Sequence, residues 1–338
     1  MGKAREVAAA LAGDADWSAW QPLAGVPAIS SDVLTETLDG GQAFRWQRQA
    51  DHTWLGIWAD NIARLRLATG ERVEWSAPTA KAGQTERTLV AYLAAERDFA
   101  ALTASLPWRS DPHLARCLAA FPGLRILRQP FGETLLGFLC SATKQIVQIK
   151  QMLALLAARH GAAIDCRAGS PNPAGLENGS PFSPKAGSGD PALQSIHRLP
   201  TWPELAAISE ADLRACQLGF RAKFISQTAQ FLAAHPGWLE ETEAAPYAVA
   251  KERLCSLSGV GEKIADCVLL FGGGRLEAFP VDTWILKALA RRYDLVDWKP
   301  TQVAQFGRAH FGPLAGLAQQ FLFAWERQQA RTATSETR

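Results

Sequence analysis

The chain contains few cysteines, and none stands at the spacing of a metal site or a disulfide framework. The six cysteines are scattered along 338 residues without a C-x-x-C sequence: Cys117, Cys140, Cys166, Cys216, Cys255 and Cys267. Structural zinc sites and small disulfide scaffolds need closely spaced cysteines, so we expect neither in this protein. Because no cysteine follows Cys267, a four-cysteine iron–sulfur cluster near the C-terminus is excluded as well.

The sequence also lacks a long apolar run and an excess of charge. The apolar stretch near the N-terminus is short and is soon followed by Asp14 and Asp16, which is unlike a membrane span or a transit peptide. With 35 basic and 33 acidic residues the formal net charge is +2, so affinity for DNA would have to come from a local basic face. We expect a soluble protein without a secretion or membrane signal, located in the cytoplasm or nucleoid of a bacterium or in the nucleus of a eukaryote.

Two hydrophobic patterns are present. Short β-prone runs between residues 25 and 78 predict an antiparallel meander with one covered face, with strands at 42–49, 53–59, 62–68 and 72–75. From residue 85 onward apolar residues recur at helical spacing, which predicts helices at 86–96, 112–120, 131–140, 145–159, 201–207, 210–217, 221–234, 245–256, 283–292, 301–310 and 313–327. The tryptophans of the meander are interpreted as core packing.

These patterns predict an α+β fold. An N-terminal extension covers 1–24, an antiparallel β-sheet domain with a flanking helix covers 25–110, and a helical domain covers 111–327. Within the helical domain, the Pro/Gly/Ser-rich insertion at 161–196 is predicted to be a flexible loop, and the tail at 328–338 is predicted to be disordered.

The stretch 254–282 contains a tight turn between two helical patterns. The sequence SGVG (258–261) follows the end of one apolar helix, and a second helix begins at once with Lys263 in its first turn. Two glycines around one aliphatic residue allow a tight turn whose peptide N–H groups point outward at a helix N-terminus. Such a turn can hold a phosphate of a DNA strand without reading its sequence.

Lys263 and Asp282 make this stretch a candidate active site. A lysine amine can act as a nucleophile where its surroundings favour the uncharged form. Asp282 follows Pro280 and Val281 at the start of another predicted helix, where it could hold the amine, move protons or stabilise positive charge on a sugar ring. The ordinary alternatives are a solvated surface lysine and a helix N-cap aspartate.

The sequence LSGVGEKIADC (257–267) followed by PVD (280–282) resembles the helix-hairpin-helix (HhH-GPD) glycosylase superfamily, and within it the 8-oxoguanine DNA glycosylase family. Further segments resemble that family in the same order along the chain: GQAFRW (41–46), LRILRQ (124–129), FLCS (138–141), LGFRAK (218–223) and GPLAGLAQ (312–319). The resemblance covers about residues 25–326 and implies a TBP-like antiparallel sheet domain followed by an all-helical HhH-GPD domain.

The resemblance also implies a pocket for the damaged base. The main-chain carbonyl of Gly41 would accept a hydrogen bond from the N7–H of 8-oxoguanine, a hydrogen that guanine does not have. Phe323 would stack on the base, Gln319 would hydrogen-bond it, and Cys267 would line the pocket. From periodicity alone, Phe323 is a core residue and Cys267 an ordinary buried cysteine.

Contacts with the DNA follow from the same resemblance. Phe220 would be the wedge that fills the space of the extruded base, although a core aromatic is the alternative. Arg221 and Thr143 would face the base left in the opposite strand. The hairpin would hold phosphate through Gly259, Gly261 and Ile264, and a cation could bind at the hairpin carbonyls of Cys255, Leu257 and Val260.

Three positions depart from the family pattern. Thr143-Lys144-Gln145 replaces consecutive asparagines, and Gln148 stands where an arginine is expected, so readout of cytosine opposite the lesion should be weaker. Trp284 stands where the family often has a phosphate-contacting histidine, which puts that contact in doubt.

The predicted function is that of a bifunctional DNA glycosylase/AP lyase that excises 8-oxoguanine from double-stranded DNA. Lys263 would attack C1′ with the help of Asp282, form a Schiff base with the sugar and allow β-elimination. We expect no cofactor, no side-chain metal site, no membrane partner and a monomeric enzyme. The alternatives are a monofunctional alkylated-base glycosylase, which would not need Lys263, and a non-catalytic DNA-binding protein that uses the hairpin alone.

Overall fold

The N-terminal part of the protein is built on a five-stranded antiparallel sheet. The computed structural model describes residues 16–166 and 196–336, so most of the predicted insertion at 161–196 lies outside the described residues. The strands pair in the order β1-β5-β4-β3-β2 and are β1 (Gln21–Pro22), β2 (Trp46–Arg48), β3 (Trp54–Trp58), β4 (Asn61–Leu67) and β5 (Val73–Ser76).

One face of the sheet is apolar, as the alternating pattern predicts. Trp54, Leu65 and Trp75 lie opposite one another on neighbouring strands, and all three are buried. Trp46 is buried as well and stacks on Trp58 with ring centroids 6.0 Å apart. The interpretation of these tryptophans as core packing is therefore confirmed.

Residues that we assigned to the N-terminal extension pack on the other face of the sheet. The guanidinium of Arg64 lies 3.9 Å from the ring centroid of Trp17, and that of Arg66 lies 4.3 Å from that of Trp20. Gln21–Pro22 pairs with β5. The predicted start of the sheet domain at residue 25 was therefore too late, because these cation–π contacts and edge pairing are not visible as a local pattern.

A short helix, α1 (Ser31–Asp39), precedes the second strand and was not predicted. Its N-cap is Ser30, whose hydroxyl accepts a hydrogen bond from Val33 N at 3.3 Å. The predicted strand at 42–49 begins only at Trp46 because residues 40–45 form a loop that packs against the helical part of the protein.

The remaining described elements are helical. They are α2 (Ala82–Tyr92), α3 (Phe99–Ala104), α4 (Pro112–Ala120), α5 (Phe131–Leu139), α6 (Ile146–His160), α7 (Trp202–Ala206), α8 (Glu210–Leu213), α9 (Arg221–Ala234), α10 (Trp238–Ala244), α11 (Tyr247–Cys255), α12 (Glu262–Phe271), α13 (Thr283–Arg292), α14 (Pro300–Phe311) and α15 (Ala315–Glu336). Helices α4, α9 and α13 have the predicted bounds, whereas α3 and α10 were not predicted. Within the described ranges, no helix is both long and apolar enough to cross a membrane.

Two predicted segments end differently in the structure. The helix predicted at 210–217 is a regular α-helix only from Glu210 to Leu213. Cys216 and Gln217 leave helical geometry, Gln217 with φ +62°, and Gly219 follows with φ +58°. The tail predicted to be disordered from 328 continues α15 as far as Glu336, because the sequence there contains neither proline nor glycine to end the helix.

Helix α12 lies at the centre of the helical part. Its eight residues from Ile264 to Phe271 are all buried, and it packs against α5 and α11. Its first turn, which carries Lys263, is the part that reaches a cleft.

The sheet and the helices are joined through the side chain of Gln42. Its Nε2 donates to the carbonyl of Arg125 at 2.9 Å, and its Oε1 accepts from Leu127 N at 3.0 Å. Gln129 Nε2 in turn donates to the carbonyl of Gln42 at 2.7 Å. Gln42 is buried, so these backbone groups have no access to bulk water.

We predict that Gln42→Ala lowers the free energy of unfolding by about 2–4 kcal/mol, because it leaves two buried backbone groups without partners. Urea denaturation followed by circular dichroism measures this change. The control is Gln47→Ala on the exposed side of β2, for which a loss below about 0.5 kcal/mol is expected. Equal losses for the two variants would show that Gln42 has no joining role.

Candidate active site

The predicted hairpin is present between α11 and α12. Val260 N donates to the carbonyl of Leu257 at 3.1 Å, and the Val260 side chain is buried against the core. Gly259 has φ +78°, and a Cβ at that position would lie 2.5 Å from Cγ of Phe224. Gly261 is the N-cap of α12 with extended backbone, and a Cβ there would meet no atom within 4 Å. The two glycines are therefore required for different reasons, one for conformation and one for access.

Lys263 projects from the first turn of α12 into a cleft against α5. Its Nζ donates to Ser141 Oγ at 3.2 Å and lies 5.2 Å from the ring centroid of Phe138. The thiol of Cys267, one turn further along the helix, is near enough for the Lys263 charge to act on its pKa. The lysine is half-buried, so the surface-lysine alternative does not describe it.

The thiol beside Lys263 is not a competing nucleophile. Burial raises the pKa of Cys267 to about 12, against a smaller opposite effect of the Lys263 charge. The thiolate is the reactive form of cysteine, so at neutral pH this residue stays a protonated, apolar wall of the cleft.

Asp282 lies in the same cleft and is also a helix cap. Its Oδ1 accepts from Ile285 N at 2.9 Å at the start of α13. Burial raises the pKa of Asp282, while the backbone N–H of Ile285 and the charge of Lys263 act in the opposite direction. Lys263 is thus within electrostatic range of Asp282, although the two share no hydrogen bond or ion pair and each hydrogen-bonds other partners. The cap and the carboxylate of an active site are thus the same residue.

The residues predicted to form the base pocket come together from both ends of the chain. Gly41 has φ +99°, and a Cβ there would lie 3.3 Å from Ile146 Cδ1 and 3.8 Å from Phe323 Cε1. Gln319 is buried one helical turn before Phe323, and its Nε2 donates to the carbonyl of Pro280 at 3.0 Å. Gln319 therefore also supports the segment that leads to Asp282.

Phe220 is exposed as a wedge requires. It is 51% exposed at the start of α9, after the turn formed by Gln217 and Gly219, and contacts Phe224 edge-on at 5.9 Å. A core aromatic would be covered by the protein, so the core alternative does not fit the described surroundings of this ring.

Arg221 lies deeper than its predicted role suggests. Only 2% of it is exposed, and its Nη2 donates to the carbonyl of Ala142 and to Thr143 Oγ1, the latter at 3.0 Å. Its Nη1 donates to the carbonyl of Leu218 at 3.3 Å. The guanidinium therefore ties the Thr143 turn to the Phe220 loop, and contact of Arg221 with an opposite base stays a prediction.

The three departures from the family pattern have different surroundings in the structure. Gln148 is exposed on α6, where its Oε1 caps the helix by accepting from Gln145 N at 3.1 Å. Thr143 has φ +56°, which turns the chain between α5 and α6. Trp284 is 40% exposed two residues after Asp282.

Both metal predictions stay predictions. Among the described residues, no group of three or more His, Cys, Asp or Glu side chains could hold a metal ion. The cation at the carbonyls of Cys255, Leu257 and Val260 stays a prediction, and the carbonyl of Leu257 already accepts from Val260 N. Ile264, expected beside the phosphate, is 8% exposed and packs mainly into the core.

Sequence reasoning assigned no role to three residues that shape the site. Ser141 and Phe138 contact the Lys263 amine, and Phe224 packs under Gly259. The segment FLCS (138–141) was among those that resemble the family, so its position was visible in the sequence. Its contact with Lys263 was not, because the two are 122 residues apart.

An antiparallel sheet followed by helices, with a Gly-Val-Gly hairpin beside Lys263 and with Asp282 within range of its charge, is the arrangement that the resemblance to the HhH-GPD glycosylases implies. Residues 29–135 match the sequence profile of "8-oxoguanine DNA glycosylase, N-terminal domain". The N-glycosylase/DNA lyase of Arabidopsis thaliana is 29% identical over 316 residues, which are 89% of this chain and 79% of that protein.

Two further comparisons agree. A probable N-glycosylase/DNA lyase of Methanothermobacter thermautotrophicus is 38% identical over 112 residues, 33% of this chain and 36% of that protein. The crystal structure of the Clostridium acetobutylicum 8-oxoguanine glycosylase/lyase, bound to double-stranded DNA with cytosine opposite 8-oxoG, superposes with a TM-score of 0.75 at 27% identity and covers 93% of this chain and 99% of that one. The sequence and the fold thus both resemble those of 8-oxoguanine DNA glycosylases, the fold over nearly the whole chain.

The two hairpin glycines give a matched pair of variants. We predict that Gly259→Ala lowers the melting temperature, because φ +78° and the ring of Phe224 both oppose a Cβ. Gly261→Ala should leave the melting temperature unchanged but weaken duplex DNA binding by about tenfold, the size of one lost hydrogen bond to a charged group. Thermal denaturation and fluorescence anisotropy measure the two effects. Full DNA affinity in Gly261→Ala would contradict the assignment of the hairpin to phosphate.

Proposed function

We propose that this protein is a bifunctional DNA glycosylase/AP lyase that removes 8-oxoguanine from double-stranded DNA. The observation that carries this proposal is the half-buried amine of Lys263, which donates to Ser141, lies over the ring of Phe138 and is near enough to act on the carboxylate of Asp282. The relatives named N-glycosylase/DNA lyase support the same reaction. The enzyme acts as a monomer, since one chain supplies the hairpin, wedge and pocket.

Binding extrudes the damaged nucleotide. The hairpin N–H groups at Gly259 and Gly261 hold the phosphate backbone, and the exposed ring of Phe220 enters the base stack. Unstacking one nucleotide costs a few kcal/mol, which these contacts must offset. The extruded base then enters the pocket between Gly41 and Phe323, where the Gly41 carbonyl accepts from N7–H.

The chemistry requires a nucleophile and a negative charge in one cleft. The uncharged amine of Lys263 bonds to C1′ as the bond from C1′ to the base breaks, and the base leaves with that electron pair and takes a proton. Asp282 stabilises the positive charge that develops on the sugar ring. Opening of the ring gives a Schiff base between Lys263 and C1′, and loss of a C2′ proton then expels the 3′-phosphate.

The monofunctional alternative does not use the contacts of Lys263. If water attacked C1′, the ammonium could remain in solvent, and nothing would require its placement between Ser141 and the ring of Phe138. The DNA-binding alternative likewise leaves unexplained why the half-buried Asp282 lies within range of the Lys263 charge, since a helix cap needs no cation beside it.

Borohydride trapping tests the proposal. We predict that the wild-type protein becomes covalently linked to duplexes that contain 8-oxoguanine, and that Lys263→Gln loses the link while it still binds the duplex. Lys287→Gln, which changes an exposed lysine on α13, is the control and should trap at the wild-type rate. Gel electrophoresis after reduction measures both.

The outcomes separate the alternatives. Release of free base without a covalent complex identifies a monofunctional glycosylase. Binding without release of base identifies a DNA-binding protein.

The base opposite the lesion should be read weakly. The amide of Gln148, which stands where an arginine is expected, caps its own helix, and Thr143 presents one hydroxyl that accepts from Arg221. A bidentate contact with a base is worth about 1–3 kcal/mol of discrimination. Without such a contact the enzyme has little means of preferring cytosine.

We predict that excision opposite cytosine and opposite adenine differs by less than about tenfold in single-turnover rate, the equivalent of one weak contact. Gln148→Arg should increase the preference for cytosine, whereas Gln151→Arg, an exposed position one turn along α6, should not. A preference of the wild-type protein for cytosine well above that range would refute this reading.

A further inference from the structure

The turn that carries Gly41 is held by ion pairs from two sides. It follows α1, and its neighbours are α15, which carries Phe323, and α6, which begins at Ile146. Glu36 and Asp39 on α1 each pair with a cation on one of these two helices. Neither pair contacts Lys263 or Asp282.

The first pair joins α1 to α15. Arg327 Nη1 lies 2.6 Å from Glu36 Oε1, and its Nη2 donates to the carbonyl of Asp39 at 3.5 Å. The side chains of Glu36 and Arg327 are only 7% and 13% exposed. Burial raises the pKa of Glu36, and the charge of Arg327 opposes that effect.

The carboxylate of Glu36 lies directly under the turn. A Cβ on Gly40 would be 2.6 Å from Glu36 Oε1, so a side chain at residue 40 would displace the carboxylate from Arg327. The glycine before Gly41 is therefore needed for the ion pair as well as for the end of the helix.

The second pair braces the turn from the opposite side. Lys150 Nζ pairs with Asp39 Oδ1 and donates to the carbonyl of Trp46 at 2.7 Å. One turn earlier on α6, Cδ1 of Ile146 is the atom nearest to the position that a Cβ on Gly41 would occupy. The turn is thus fixed between α6 and α15.

The same guanidinium contacts the other wall of the base pocket. Arg327 Cζ lies 5.5 Å from the ring centroid of Phe323 and one helical turn along α15. Phe323 Cε1 is in turn within 3.8 Å of the side-chain position of Gly41. The guanidinium of Arg327 therefore contacts Phe323, which is proposed to stack on the base. It also contacts α1, the helix that leads to the Gly41 carbonyl proposed to read the base.

We propose that the Glu36–Arg327 pair, assisted by Asp39–Lys150, is a clasp that sets the position of the Gly41 carbonyl relative to the ring of Phe323. Glu36 and Arg327 are positioning residues for recognition of the extruded base and take no part in the reaction at C1′. This inference rests on the proposed function. The guanidinium of Arg327 binds the carboxylate of Glu36 through one nitrogen and the carbonyl of Asp39 through another. Two directional hydrogen bonds fix geometry better than an apolar contact of similar size, which suits a site that distinguishes two bases by one hydrogen atom.

The clasp separates two activities that share Lys263. Excision of 8-oxoguanine needs the base pocket, whereas reaction with a preformed abasic site needs only the amine and the grip on the DNA. We expect Arg327→Met to lower single-turnover excision of 8-oxoguanine by about 10- to 100-fold, the usual consequence of a displacement of about 1 Å in a reacting complex. Borohydride trapping on a duplex with an abasic site should stay within about twofold of wild type, since no base contact is involved.

Three further variants distinguish a change in the position of the Gly41 turn from a general loss of folding. Glu36→Gln keeps the shape and one hydrogen bond, so it should give the same selective loss to a smaller degree. Glu36→Gln with Arg327→Met removes the unpaired carboxylate and should not restore excision. Arg331→Gln is the control, and this variant should excise 8-oxoguanine at the wild-type rate. Arg331 is 59% exposed, and its Nη1 comes no closer than 4.0 Å to Glu36 Oε2.

Three results are decisive. Selective loss of excision in Arg327→Met and Glu36→Gln supports the clasp. Equal loss of excision and abasic-site trapping, or recovery of excision in the double variant, overturns it in favour of a purely structural ion pair. Absence of 8-oxoguanine excision by the wild-type protein would instead refute the proposed function.

Discussion

The protein depends on the placement of one amine in a half-buried cleft. Lys263 can reach that cleft only because α12 begins immediately after a tight turn and is otherwise buried along its length. The buried helix cannot slide or rotate without disrupting its packing with α5, so the position of Nζ is fixed by the core. The cleft completes this placement with Ser141 and the ring of Phe138, and Asp282 adds a negative charge close by.

Recognition and chemistry use different parts of the fold. Lys263 and Asp282 lie on helices near the middle and late parts of the chain, whereas the base pocket joins Gly41, beside the sheet, to Phe323 on the last helix. Because these walls come from opposite ends of the chain, their separation depends on contacts between α1, α6 and α15. We propose that this nearly neutral chain binds DNA through peptide N–H groups of the hairpin and the exposed ring of Phe220.

The sequence predicted local features better than distant ones. The hairpin glycines, the lysine at the start of α12 and the cap at Asp282 all follow from residues within a few positions of each other, and the structure contains them. The buried network of Arg221, the helix cap made by Gln148 and the pair of Glu36 with Arg327 join residues whose proximity no local pattern reveals. The strand before Trp46 was predicted too long for the same reason, since the Gln42 side chain binds a distant backbone segment.

Identification of the atom that bonds to the sugar tests the central claim most directly. The borohydride-reduced complex with 8-oxoguanine duplex can be digested with nuclease and protease, and the modified peptide sequenced by mass spectrometry. The reduced deoxyribose remnant should be attached to Nζ of Lys263, within the peptide that contains the start of α12. Attachment to any other lysine, or to the N-terminal amine, would contradict the account.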